Sequence, residues 1–330
     1  MSSIVEVTHL RKLFPVKKSG LFDKSENFVH AVDDVSFTVA RGEVLAVVGE
    51  SGCGKSTLAL TLMGLEKPTA GVIQINGQNI AGLNGRAMQT VRRHVQMIFQ
   101  DPYESLNPVM TIADIVAEPL KVHGLVKNKQ ARQERVIQAL EDAGLKPAVN
   151  FMHRLPQELS GGQRQRVVIA GALVLEPVLL IADEPVSMLD VSIRAEILNL
   201  LLELRQTRGI SIVMITHDLG TVGYVADRIA VMYLGRIVEI GPALQILQNP
   251  QHPYTRALLS VVPVPNPRQR RERLILQGET PNPINLPPGC RFHPRCPVAR
   301  PHCQQHDPQL RVIPAGHEVA CLEVEPKVLI

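Results

Sequence analysis

The stretch that most constrains this chain is Gly49-Glu50-Ser51-Gly52-Cys53-Gly54-Lys55-Ser56-Thr57. The apolar run Val44–Val48 before it predicts a buried strand, and residues 55–65 after it have the composition of a helix, so the glycines fall at a strand-to-helix turn. There the backbone N–H groups of Ser51, Gly52, Cys53 and Gly54 can curl inward around a phosphate, and the helix N-terminus adds partial positive charge. Lys55 can reach the terminal phosphates, and the Ser56 hydroxyl is placed to hold magnesium. A glycine turn without a ligand would need neither the lysine nor the hydroxyl at those spacings.

Composition bounds the rest. With 330 residues, 45% of them hydrophobic, the chain is long enough for about two globular domains. No run approaches the roughly 18 apolar residues of a membrane span, and Met1 to Glu6 lacks the basic-then-apolar layout of a secretion signal, so a cytoplasmic chain is expected. A net charge of +4, 3% aromatic residues and no Trp leave little for stacking bases, and nucleic acid is not the expected partner. Five cysteines in such a chain favour metal binding or burial over disulfides.

Along the chain, residues 4–10 and 35–39 alternate as strands, with a basic insertion at Lys17-Lys18-Ser19-Gly20 between them. Phe14, at the end of the first strand, is a candidate for stacking on an adenine ring and equally for a core residue. Residues 72–75 followed by Asn76-Gly77 predict a hairpin, and 95–99 a strand ending in Gln100. From about 101 to 175 the character is helical, with stretches at 112–123 and 129–143, and a third helix begins at Ser160-Gly161-Gly162-Gln163, where Ser160 can cap it. Residues 178–182 are a continuous apolar run of the kind buried on both faces of a parallel sheet, and 210–215 predict another buried strand. The first ends in Asp183-Glu184 and the second in Thr216-His217-Asp218, which puts polar chemistry at strand carboxyl ends. Two more strands, 229–233 and 237–240, precede a change of composition near Asn249: fifteen of the 25 prolines lie from Pro250 onward. A domain boundary is expected there. The tail carries Cys290, Cys296, Cys303 and Cys321, a set that four-thiolate chemistry could use for zinc or an iron–sulfur cluster.

The phosphate loop, Gln100, Leu159 to Gln163, Asp183-Glu184, Ser187-Met188-Leu189-Asp190 and His217 stand in the order found in ABC-transporter ATP-binding cassettes. Residues 1–249 resemble that cassette. The tail, from His252-Pro253-Tyr254-Thr255, resembles the C-terminal extension of dipeptide/oligopeptide permease ATP-binding subunits, which nickel and glutathione importers share. The resemblance implies an α/β P-loop NTPase fold with an antiparallel β subdomain, an inserted helical subdomain at about 101–175 and a small loop-rich cysteine-containing C-terminal domain at 250–330. It implies ATP and Mg2+ as ligands, with Gly49, Gly54, Lys55, Ser56 and Thr57 on the phosphates. Ser56, Gln100 and Asp183 would face the magnesium, Glu184 would be the catalytic base and His217 the switch histidine. Ser160, Gly161, Gly162 and Gln163 match the signature motif, which contacts ATP held by a partner cassette.

The implied partners are a second ATPase subunit, in the simplest case a paralogue, two integral membrane permeases and, indirectly, an extracytoplasmic solute-binding protein, with this chain on the cytoplasmic face of the membrane. The implied function is ATP hydrolysis that powers import of short peptides. A nickel, glutathione or other small-solute importer and a soluble non-transport ABC ATPase are the alternatives. For the tail the same resemblance ranks a [4Fe–4S] cluster first, Zn2+ second and four free thiols third.

Overall fold

The computed structural model describes residues 3–16, 27–262 and 273–324; the basic insertion at Lys17 to Gly20 lies outside them. Two compact units are formed.

One unit is built chiefly from Ile75–Met214. Its strands Val95–Ile98 and Leu179–Asp183 pair in parallel, from Val95 opposite Leu179 to Ile98 opposite Ala182, and Ser211–Thr216 lies next in order. Every residue of Leu179–Asp183 and Ser211–Thr216 is buried, which is why the interiors of these strands are apolar without alternation and polar residues stand only at their ends. The helices Ile112–Val122, Lys129–Asp142 and Gly161–Leu173 pack on one another in the expected helical stretch. Thr111 and Asn128 cap the first two, each side chain accepting from a first-turn N–H. Helix Gly85–His94 lies outside the expected elements, although its two buried residues, Met88 and Val91, share one face of an otherwise polar segment.

The second unit is formed by Val5–Thr38, Val44–Gln74 and the described residues from Ile215 onward. Val44–Val48, wholly buried, pairs in parallel with Arg228–Tyr233, from Leu45 opposite Arg228 to Val48 opposite Val231. Arg236–Pro242 continues the sheet antiparallel to Arg228–Tyr233. Phe28–Ala40, Ser3–Pro15 and Ala70–Ile75 are successive neighbours in another sheet, and the first two are longer than the alternation predicts.

Packing does not break at Asn249. The tail strand Glu318–Val319 adds to the sheet on Arg236–Pro242, and Arg311–Val312 follows it. Helix Pro253–Ser260 starts with its proline at the first position, where the missing N–H costs nothing, and buries Tyr254 completely. Tyr254 and Phe292 pack on Tyr233 with ring centroids 4.7 and 5.2 Å away. Such aromatic pairs add about 0.5–1.5 kcal/mol each beyond the area they bury. Prolines forbid long elements but not burial of the side chains between them.

Three buried or half-buried acids also meet the tail. Arg291 pairs with Asp33 and donates to the Leu234 carbonyl oxygen, Arg295 pairs with Glu50, and the His317 ring with Glu239. Burial would raise the Asp33 carboxyl, but Arg291 and His30 hold it below its ordinary value.

Candidate nucleotide site

In the second unit the phosphate loop follows Val44–Val48 and opens helix Lys55–Leu62. Two of its glycines are forced by close backbone approach. A Cβ on Gly49 would lie 2.2 Å from the Met232 carbonyl oxygen, and one on Gly54 1.9 Å from that of Ala31. Gly54 also has φ 107° and is the N-cap of the helix, with no side chain accepting there, so the first-turn N–H groups remain as donors for an anion. Lys55 is buried, and its Nζ donates to the carbonyl oxygens of Gly49 and Glu50, both at 2.8 Å. A buried ammonium held by two loop carbonyl oxygens beside the first turn of a helix suits an incoming phosphate. Ser51, Gly52 and Ser56 are exposed, Thr57 is half-buried, and Cys53 is buried with its thiol pushed up by burial.

Glu50 is the unexpected member of this loop. Its carboxylate accepts from both terminal nitrogens of Arg295, at 2.8 and 3.2 Å, and from the Thr280 hydroxyl at 2.7 Å. Burial would raise this carboxyl, yet the Arg295 and Thr280 bonds hold it below the usual carboxylate value. No sequence signal marks the contact, since 230 and 245 residues separate the partners.

Phe14 is half-buried in this unit, and the Lys12 ammonium sits 4.5 Å from its ring centroid, so one of its faces is already taken by a cation. His217 is exposed in the turn after strand Ser211–Thr216, just before Asp218 caps helix Leu219–Val225.

In the first unit, Asp183 is the buried last residue of its strand, and Glu184 follows it at φ 47°, a left-handed conformation that side chains rarely adopt. The Ser187 N–H and hydroxyl both donate to the Glu184 carbonyl oxygen, which holds that turn. Gln100 donates from Nε2 to Glu184 Oε2 at 2.9 Å, so two residues 84 positions apart meet.

Ser160 to Gln163 form a reciprocal cap: the Gln163 N–H donates to the Ser160 hydroxyl oxygen at 3.3 Å, and the Ser160 N–H to Gln163 Oε1 at 3.1 Å. The serine is exposed. Its neighbour Gly162 faces Ile193, whose methyl a Cβ would meet at 2.7 Å.

The four tail cysteines are all free thiols in the second unit, Cys303 and Cys321 buried and Cys290 and Cys296 half-buried. Burial pushes the Cys290 thiol up to about 11 and raises Cys296 and Cys321, and the charge of the neighbouring tail thiols raises each further. The ligand atoms gathered within 4.8 Å of one another are those of His302, Cys303 and Glu323 rather than four sulfurs, among the described residues.

The chain matches two families: ABC transporter, over residues 32–187, and oligopeptide/dipeptide transporter C-terminal region, over 238–303. It is 49% identical to the probable peptide ABC transporter ATP-binding protein y4tS of Sinorhizobium fredii, across 97% of this chain and 89% of that one. It is 47% identical to the oligopeptide transport ATP-binding protein AppF of Bacillus subtilis, across 97% of both chains. The dipeptide transport ATP-binding protein DppF of Haemophilus influenzae is 48% identical, across 96% of this chain and 95% of that one. Among solved structures, cbiO1 of Clostridium perfringens, part of the transporter complex cbiONQ, matches with a TM-score of 0.65 and 30% identity, covering 76% of this chain and 92% of that one. The ATP-binding cassette MJ0796, solved as a dimer with ADP and Pi, matches with a TM-score of 0.63 and 28% identity, covering 72% and 98%.

Proposed function

The chain belongs to the family of peptide ABC transporter ATP-binding proteins, and on that footing we propose that it is the ATPase subunit that powers import of short peptides through membrane permeases. The observation that carries this is identity of 47% or more along 97% of the chain, tail included. All three relatives carry peptide names, which favours peptides over nickel or glutathione and over a soluble non-transport ATPase. No described helix is long and apolar enough to cross a membrane, so the pore is assigned to other chains. The finer partners are a second, paralogous cassette, two permeases and an extracytoplasmic peptide-binding protein, with this chain on the cytoplasmic face. Residues 1–249 serve as the cassette and 250–330 as its extension, a division of roles rather than of packing.

In this reading the N–H groups of the phosphate loop and Lys55 hold the ATP phosphates, and Phe14 lies against the adenine. Ser56, Gln100 and Asp183 would hold Mg2+, which when bound would neutralise phosphate charge. Glu184 takes the proton of the attacking water, and His217 donates to the γ-phosphate. The exposed Ser160 hydroxyl, with Gly161, Gly162 and Gln163, serves the ATP of the partner cassette. Lys55→Ala removes the one buried cation of the loop, and ATP affinity by calorimetry is expected to fall by about tenfold or more. Unchanged affinity would remove the loop from the nucleotide site.

For the tail we propose that Cys290, Cys296, Cys303 and Cys321 hold a [4Fe–4S] cluster. Four free thiols within one short loop-rich segment are a donor set suited to iron–sulfur chemistry, and the gathering of His302 and Glu323 beside Cys303 keeps zinc as the second reading. The group would staple a segment without a large core. Anaerobically purified protein is expected to be brown, with about four irons per chain. Colourless protein with one zinc per chain would transfer the site to zinc, and His302 and Glu323 beside Cys303 would then be its further ligands.

A further inference from the structure

Every polar group of Glu50 is engaged. The tail takes three of the contacts: Arg295 and Thr280 bind the carboxylate, and the Tyr254 hydroxyl oxygen accepts from the Glu50 N–H at 2.8 Å. The Glu50 carbonyl oxygen holds Lys55 Nζ at 2.8 Å and also accepts from the Cys53 N–H at 3.3 Å. A continuous path of hydrogen bonds therefore runs from the tail, through the second residue of the phosphate loop, to the lysine that meets the phosphates.

Charge makes this path matter. On the reading of Gly49 to Thr57 as the ATP phosphate loop, on which this inference rests, a carboxylate stands inside a loop that must receive a polyanion. Unpaired, it would repel the phosphates and compete for Lys55. Arg295 cancels it through a two-pronged contact whose geometry a guanidinium matches and an ammonium does not.

The arginine is fixed before any nucleotide arrives. Its side chain is 9% exposed, and its N–H donates to the carbonyl oxygen of Phe292, which is buried in the aromatic cluster with Tyr233 and Tyr254. The turn His293–Arg295 then delivers the guanidinium from a rigid base. We propose that Arg295 is a positioning residue for ATP binding: anchored in the C-terminal extension, it neutralises Glu50 and holds the phosphate loop and Lys55 ready for the nucleotide.

The test uses the full chain in its assembled complex. ATP affinity, KM and kcat are measured for Arg295→Ala, Arg295→Lys, Arg295→Ala/Glu50→Gln and Lys55→Ala. Arg295→Ala is expected to weaken ATP binding and raise KM by about tenfold while kcat at saturation stays within about twofold, since Arg295 touches no reacting atom. Arg295→Lys should fall between. Adding Glu50→Gln should restore most of the affinity, because it removes the uncompensated charge; a merely structural role of Arg295 would show no such rescue. If Arg295→Ala does not fold, Arg295→Lys carries the test, with its own rescue by Glu50→Gln.

Wild-type affinity in the arginine variants while Lys55→Ala loses ATP overturns the inference and leaves the nucleotide site standing. Loss without rescue by Glu50→Gln also overturns it. Unchanged affinity in Lys55→Ala as well would bring down the loop assignment itself.

Discussion

Glu184→Gln in the assembled complex is expected to bind ATP as the parent does and to hydrolyse it at least about 100-fold more slowly. The substitution is nearly isosteric. The carbonyl oxygen of the new amide can still accept from Gln100 Nε2, which now lies 2.9 Å from Glu184 Oε2, and the Ser187 bonds go to the main chain, so the turn keeps its shape. What is lost is a group that can take a proton from water, and general bases contribute roughly 10²–10⁴-fold. The left-handed φ of 47° at Glu184 is a backbone cost that an ordinary strand end would avoid, and such strain persists where function fixes a side chain's direction. The check is a pair of measurements: nucleotide retained after rapid desalting, and phosphate released at saturating ATP. Normal turnover would take the base away from Glu184. Loss of both binding and turnover would mean that the substitution had disturbed the loop rather than the chemistry.

How far such residues can be found in advance depends on whether their signal is local. The phosphate loop, the Ser160 cap and the runs ending in Asp183 and Thr216 were legible because each lies in a short segment where glycine, hydroxyl or apolar spacing dictates the backbone. Gln100 and Glu184 were named separately, and only the fold brought them into contact. The tail was the least legible part. Its prolines announced short elements correctly, but its side chains are buried by partners more than 200 residues away in sequence, as with Arg291 on Asp33 and Arg295 on Glu50. Pairing at such separation leaves no periodicity to read. Helix Gly85–His94 is a local element whose apolar face is only Met88 and Val91, set three residues apart among polar ones, and that pattern was there to be read.

Glu239→Ala is expected to cost about 3–5 kcal/mol of stability, the range for removing one partner of a buried charged network. Glu239 and His317 have fully buried side chains. One oxygen of Glu239 accepts from the Gln251 N–H at 2.7 Å and from His317 Nε2 at 2.8 Å, and the other from the His252 N–H at 3.1 Å. A carboxylate has no proton to give, so Nε2 carries the hydrogen in this contact. One side chain thus joins strand Arg236–Pro242 to the start of helix Pro253–Ser260 and to the turn before Glu318–Val319. Alanine strands three donors at once, those of His252 and His317 buried and that of Gln251 half-buried, and the buried two bear the full desolvation penalty. Glutamine is expected to lose about half as much: its one carbonyl oxygen can replace the atom that serves Gln251 and His317, while its NH₂ is left facing the His252 N–H. Urea midpoints at neutral pH, with the slope checked for constancy, measure both changes. Limited proteolysis should at the same time show the tail of the alanine variant cut first, because the contacts removed are those that tie it to the sheet. Equal midpoints for the parent and the alanine variant would show that the aromatic cluster around Tyr254 and Phe292 holds the tail without help from Glu239.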